Sequence, residues 1–237
     1  MNTSGAMVTG WQKSNGKWYY LKANGAMAEN GWQWINGNYF YFYDNGMMAE
    51  NTTIDNYVID GNGICLYFIK DGIIVANKKH PLSKDYAPGE DATAGNAIRQ
   101  LIKDMQNLGY NISSSYSGYR SYSYQAGLYN GYVASYGQAS ADTFSARPGY
   151  SEHQLGLAFD LIDGYGNLVE SSAEVNWIKA NAYKYGFIVR YTEAKQSITG
   201  YMAEPWHLRY VDDKAWDIYK SGLTLEEYLG VSGGDYY

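Results

Sequence analysis

From Gly10 onward the apolar positions are spaced as short strands, and two Asn-Gly pairs divide them. Asn15-Gly16 stands just before Trp18-Tyr19-Tyr20, and Asn36-Gly37 just before Tyr39-Phe40-Tyr41. Asn-Gly accepts the positive φ angles of a tight turn, so each pair predicts a β-hairpin. Gly10-Trp11 returns as Gly31-Trp32, and Gly25-Ala26-Met27-Ala28 returns as Gly46-Met47-Met48-Ala49, each displaced by 21 residues. A fixed period of this length predicts a solenoid of small hairpins that share a core between neighbours. Tyr57 to Ile64 reads as a third, degenerate unit of the kind that caps such an array. Cys65 to Ala76, around Lys70-Asp71-Gly72, then reads as a connecting hairpin.

After Ala94 the period changes to that of a helix. Ile98, Leu101, Ile102, Met105 and Leu108 form one apolar stripe, with Gly109 as its stop. Ile112 to Tyr116 is a short strand. Further helices are expected over about Ser123–Tyr136, with Leu128 and Tyr132 on one face, and over Ser172–Tyr185. Phe187 to Tyr191 returns as a strand, and Asp213 to Tyr219 is helical. Thr224-Leu225-Glu226-Glu227 has the spacing of a capping box and opens a last helix. The organisation is therefore hairpin repeats over 1–64, a connecting hairpin over 65–76, and an α+β domain over 77–237 with a small antiparallel sheet and helices.

Two segments of that domain carry chemistry. In Ser151-Glu152-His153-Gln154-Leu155-Gly156-Leu157-Ala158-Phe159-Asp160, the residues Leu157, Phe159 and Leu161 alternate with Ala158 and Asp160, so Asp160 points away from the apolar face. Gly156 lets the chain turn so that His153 folds back towards Asp160. In Glu204-Pro205-Trp206-His207-Leu208-Arg209-Tyr210, His207 and Arg209 face one way and Trp206, Leu208 and Tyr210 the other. Pro205 is expected to break the ladder between Glu204 and His207. The chain has three histidines and one cysteine, which excludes a site built from thiolates. A catalytic zinc takes about three protein ligands and keeps one position open. His153, Asp160 and His207 supply such a set, and Glu204 is a nearby carboxylate that need not be a ligand. Spacing alone leaves open the alternative of an ordinary hydrogen-bonded His–Asp pair.

Composition narrows the partners. A net charge of -6 gives no support for nucleic-acid binding, and no apolar run reaches the length of a membrane span. The 27 tyrosines among few charged residues suit a carbohydrate or wall polymer, or equally a stack of hairpins. Cys65 has no partner. Met1 to Gly5 shows neither a basic nor an apolar region, so no signal peptide is visible.

Ser-x-His-x-x-Gly-x-Ala-x-Asp followed by Glu-Pro-Trp-His resembles the VanY/LdcB branch of the D-alanyl-D-alanine carboxypeptidases, the M15B metallopeptidases. The similarity runs from about Ala76 to Gly230 and takes in Asn77-Lys78-Lys79-His80-Pro81-Leu82, Ser117-Gly118-Tyr119-Arg120-Ser121-Tyr122 with Gln125, and Phe144-Ser145-Ala146-Arg147-Pro148-Gly149. The resemblance implies Zn2+ on His153, Asp160 and His207, with Glu204 as the catalytic base. Left to the residues alone, Glu204 could instead pair with Arg209. Arg120 is the first candidate for holding the substrate's terminal carboxylate, since a guanidinium fork matches two oxygens; Arg147 is the second, or else a brace for the loop of His153. Gln125 and Ser145 match positions lining the substrate pocket, and His80 is structural. The family removes terminal D-Ala from peptidoglycan stem peptides, and the fuller match leans slightly towards LD rather than DD specificity. An endopeptidase lysin and a wall-binding protein with an inactive peptidase domain are the alternatives.

The N-terminal units resemble choline-binding, or cell-wall-binding type 1, repeats. These imply choline on teichoic acid or a related wall polymer as ligand, and an extracellular, wall-associated protein. Trp11, Trp18, Trp32, Tyr39 and Tyr41 are the matching aromatics, either as a cation–π cage or only as the hairpin stack.

Overall fold

A computed structural model describes residues 6–236; Met1–Gly5, read above for a signal sequence, lies outside them. The chain divides into two units, Met1–Ile69 with Leu82–Asp85 and Lys70–Pro81 with Tyr86–Tyr237.

In the first unit β1 (Gly10–Ser14) pairs antiparallel with β2 (Lys17–Leu21), and β3 (Gly31–Ile35) with β4 (Asn38–Phe42). Both Asn-Gly turns are left-handed at each position, with φ of 48° and 78° at Asn15 and Gly16 and 49° and 89° at Asn36 and Gly37. That is the turn whose twist matches a two-residue hairpin. The repeat also governs the segment after each hairpin. Leu21 bridges Met27 and Phe42 bridges Met48, after turns in which Asn24 Oδ1 and Asn45 Oδ1 accept from the amides of Ala26 and Met47 at 3.0 Å. The third hairpin, β5 (Thr52–Ile54) and β6 (Tyr57–Ile59), has strands of three residues instead of five and turns through Asp55-Asn56. Phe42, Met48 and Ala28 form a small core under Trp11 and Trp18. β7 (Cys65–Lys70) pairs with β6, and the division between units falls at Ile69/Lys70, at the end of β7 and before β8 (Ile73–Val75).

The second unit is built on an antiparallel sheet of order β11-β12-β10-β9. Helix α1 (Ala92–Asn107) begins at Asp91, whose side chain accepts from the Ala94 amide, and buries Ile98, Leu101, Ile102 and Met105. Leu108 is the C-cap and is 64% exposed, so the apolar stripe stops one turn earlier than its pattern. Strand β9 (Ile112–Ser117) leads to α2 (Tyr122–Tyr136), followed at once by α3 (Gln138–Phe144). The sequence pattern does not show α3: Gly137, at φ 79°, reads as a stop but serves as a hinge between two helices. Strand β10 (Ala158–Asp163) precedes α4 (Ser172–Asn181), whose expected last turn tightens to 3-10 geometry over Ala182–Tyr185. Then come β11 (Phe187–Tyr191), α5 (Gln196–Thr199), β12 (Glu204–Tyr210), α6 (Ala215–Ser221) and α7 (Leu225–Leu229). The last opens on a complete Thr224/Glu227 capping box. Phe159, Leu161, Phe187 and Leu208 meet α1 and Ile178 of α4 in one core.

The expectation that Pro205 breaks the ladder holds in part: β12 runs through it from Glu204, but the ladder is irregular there. Pro205 lies beyond the stretch paired with β10, and on the other side the β11 register shifts between Val189 and Tyr191, so that Tyr191 pairs with Glu204. Proline is tolerated at such an irregularity because no ladder bond is required of its nitrogen.

Candidate active site

Because side chains alternate along a strand, the residues that leave the core face must gather on the other. Asp160 lies opposite His207 in the β10–β12 register and opposite Ser117 on the β9 side, and residues directly opposite share a face. His153 arrives on a 3-10 turn, Glu152–Leu155, whose start is capped by Ser151 and whose end is Gly156 in the left-handed region at φ 73°. A Cβ on Gly156 would collide with the Gly89 carbonyl oxygen. The turn that aims His153 therefore requires glycine twice over, for its backbone angle and for space.

One ligand atom from each of His153, Asp160 and His207 lies within 4.8 Å of the others, and all three residues are buried. His153 Nε2 is 3.2 Å from Asp160 Oδ2, and His207 Nδ1 is 3.1 Å from Asp160 Oδ1. The other ring nitrogens face groups outside the cluster. His153 Nδ1 lies 2.7 Å from the Gly118 carbonyl oxygen, which makes it the protonated nitrogen. His207 Nε2 lies 3.4 Å from Glu152 Oε2. His153 Nε2 and Asp160 Oδ1 are buried without a hydrogen bond of normal geometry, and so are His207 Nε2 and Glu152 Oε2 on the outer side of the ring. Buried polar atoms normally have a partner, so the inward orphans on His153 and Asp160, beside His207 Nδ1, fit a divalent cation. Glu204 Oε2 stands 3.5 Å from His207 Nδ1, beside this set.

The electrostatics follow from burial. Burial pushes the Glu204 carboxyl up to about 7, against the pull of His207. Burial also takes His153 down to about 4, with the Arg120 charge acting in the same direction. His207 goes the other way: burial disfavours its charge, but hydrogen bonding to Asp160 and Glu152 lifts it to about 9 while no cation competes for Nδ1. Burial works against the charge of Asp160, yet the two imidazoles hold it well below the usual carboxylate range.

The cluster forms one end of a cavity of about 360 Å³. Arg120, Gln125 and Ser145 line it too, as do Leu128 and Tyr132 of α2, whose common face borders this space. Arg120 Nη2 donates to Asp160 Oδ2 at 3.3 Å and Nη1 to Ser117 Oγ at 3.4 Å, while Nε has no partner. Gln125 donates to the Ala146 carbonyl at 2.7 Å, which leaves its Oε1 unpaired within the protein. Arg147 is outside the cavity lining; its guanidinium grips Asp142 and lies 4.0 Å from the Tyr236 ring centre. Arg209, the other partner open to Glu204, pairs with Glu152 instead. His80 is buried and lies outside the cluster. Two residues that the motifs do not flag also belong here. Tyr191 lines the cavity with its ring centre 4.9 Å from that of His207, and Glu152 lies behind His207.

In the first unit, Trp11 and Trp18 line a second cavity of about 370 Å³ with Phe40, Met48, Asn62 and Ile64. Trp32 and Tyr41 are not in that lining; Trp32 packs on Tyr41 and on Tyr57, and Tyr39 packs on Trp34.

Two histidines and an aspartate that could hold a metal ion thus stand at a cavity beside a further carboxylate. Residues 90–213 match the VanY family of D-alanyl-D-alanine carboxypeptidases, about half of the chain, and the chain belongs to that family. Residues 2–32 match a choline-binding repeat and residues 30–48 a cell wall binding repeat. Among solved structures, the L,D-carboxypeptidase DacB of Streptococcus pneumoniae is 46% identical over 87% of this chain and 98% of its own, with a TM-score of 0.68. A zinc-bound D,D-pentapeptidase VanY from a VanB-type resistance cassette is 35% identical over 66% of this chain and 97% of its own, with a TM-score of 0.58. A D-alanyl-D-alanine carboxypeptidase of Enterococcus faecalis is 47% identical over 106 residues, 43% of this chain and 38% of the relative. The chain spans about half or less of the length of the first curated relatives it matches.

Proposed function

We propose that this protein is a zinc carboxypeptidase that removes the terminal D-Ala from peptidoglycan stem peptides, with tetrapeptide (LD) favoured over pentapeptide (DD). The observation that carries the reading is one cavity with Glu204 beside the His153–Asp160–His207 cluster and a guanidinium, that of Arg120, in the same wall. The LD preference is supported by the higher identity and near-complete coverage of DacB.

A zinc ion held by His153, Asp160 and His207 would polarise the scissile carbonyl and acidify water. The chain's own groups supply the rest. Arg120, whose Nε is unpaired and whose fork touches Asp160 at a long 3.3 Å, receives the substrate's C-terminal carboxylate. Gln125 Oε1 is an acceptor available to a peptide N–H, and Ser145 lines the same wall. Glu204 takes a proton from water as its oxygen adds to the carbonyl carbon, then gives it to the departing amine as the C–N bond breaks. The products are a shortened stem with a new carboxylate and free D-Ala. A carboxyl whose proton affinity is raised towards neutrality suits that exchange.

The N-terminal repeats bind choline on teichoic acid or a related wall polymer and bring the enzyme to an extracellular wall substrate. Trp11 and Trp18 in the second cavity support this, since aromatic faces attract a quaternary ammonium ion. Mass spectrometry of defined tetrapeptide and pentapeptide after incubation with zinc-loaded protein tests the catalytic reading. Loss of one alanine from the tetrapeptide is expected. Loss from the pentapeptide alone makes the enzyme DD-specific, and loss from neither refutes the carboxypeptidase reading.

A further inference from the structure

Behind the His153–Asp160–His207 cluster lies a charge network that the reaction does not use. Glu152 is fully buried, and so are the two guanidinium groups beside it. Its Oε1 accepts from Arg190 Nε at 2.8 Å and from Arg209 Nη1 at 3.1 Å. Arg190 turns its two terminal nitrogens to Glu226 of α7, at 2.9 Å and 2.5 Å. Glu226 in turn accepts from the Asn77 side-chain amide at 3.1 Å. Arg209 donates onward to the carbonyls of Ile74 and Tyr210. Two carboxylates thus balance two guanidiniums, the condition under which ions tolerate burial. Both arginines crowd onto Oε1, while Oε2 faces His207 Nε2 at 3.4 Å, each of these two atoms buried and without a hydrogen bond of normal geometry.

We propose that Glu152 is the positioning residue of the metal centre: clamped by Arg190 and Arg209, it fixes the proton of His207 on Nε2 and presents Nδ1 to the metal. This rests on the metallopeptidase reading of the site. An imidazole turned about χ2 would offer a carbon where Nδ1 now stands, and that torsion has no strong staggered preference of its own. An acceptor behind the ring selects one orientation, and a charged acceptor also raises the basicity of the ligating nitrogen. His153 solves the same problem with the Gly118 carbonyl and the opposite nitrogen, so it ligates through Nε2. The two histidines therefore differ in ligating atom and in what holds them. The Arg190–Glu226 pair extends the support of His207 to α7 and Asn77.

The test uses the full chain with isotope-labelled histidine nitrogens and cadmium as the NMR-active metal. Cadmium coupling is expected at Nδ1 of His207 and Nε2 of His153, with a proton on His207 Nε2. Coupling through His207 Nε2 would overturn the proposal, and this needs no variant to fold. Zinc affinity of Glu152→Gln, measured by chelator competition on protein whose metal-free fold is checked by circular dichroism, should fall by about 10–100-fold. Glu226→Gln breaks the same network farther from the ring and should stay within about threefold of the parent, well short of that loss. Equal losses in both variants would reduce Glu152 to a structural role and refute the inference. Correct cadmium coupling in a protein that releases no D-Ala would instead refute the functional reading and leave this one standing.

Discussion

In the repeats, the residues that shape each element are near neighbours in sequence. Asn15 and Gly16 close β1 on β2, and Leu21 bridges Met27. In the peptidase unit the decisive partners are distant: Gly118 and His153 are separated by 35 residues, and Glu152 and Arg209 by 57. The repeats hold their rings with apolar packing and turn geometry, whereas the peptidase site is held by buried charge. Local construction tolerates loss, as the third hairpin shows by pairing with only three residues in each strand. A site assembled from distant buried charges has no such margin, because removing one partner leaves another charge unpaired.

This contrast can be broken first at the reacting carboxylate. Glu204→Gln keeps the shape of the side chain but removes the proton carrier. Turnover of stem peptide should fall by about 10²–10⁴-fold, while zinc content and retention on a choline resin stay unchanged. A variant with near-normal turnover would remove Glu204 from the mechanism.

The glycine turns sharpen the same contrast. Gly16→Ala places a side chain at φ 78° with nothing within 4 Å, so its cost is confined to the left-handed backbone, about 1–2 kcal/mol. Gly156→Ala adds to a similar angle a collision with the Gly89 carbonyl. Urea unfolding should show the larger loss for Gly156→Ala, with zinc affinity reduced as His153 is displaced. Equal losses would mean that the 3-10 turn relaxes freely.

The smallest expected effect lies in the aromatic cavity. Trp18→Ala should weaken choline binding by about 3–30-fold, the worth of one ring facing a cation, and leave hydrolysis of free tetrapeptide unaltered. Calorimetric titration with choline that shows no change would assign Trp18 to the hairpin stack alone.

Much of this architecture is legible because its signals are short. The Asn-Gly turns, the 21-residue period and the Thr224 capping box are local. The alternation around Asp160 and His207 also places each on the face opposite Phe159 and Leu208. What escapes depends on context. Helix α3 has little apolar periodicity and follows a glycine that resembles a stop. Glu152, within Ser-Glu-His, carries no local signal of burial, and only the fold reveals the two arginines that meet it. A signal was present all the same: Arg190 interrupts Phe187-Ile188-Val189 and Tyr191 in a strand buried on both sides of it, and a charge there demands a buried partner. Leu108 misleads for the complementary reason, since it obeys a local rule that the tertiary structure overrides.

The most direct test of the central claim is D-Ala release from stem tetrapeptide by protein stripped of metal and then titrated with zinc. The account predicts no release from verified metal-free protein and full recovery near one zinc per chain, with recovery lost in His207→Ala. Release that persists in metal-free protein, or a His207→Ala variant that recovers as fully as the parent, would contradict it.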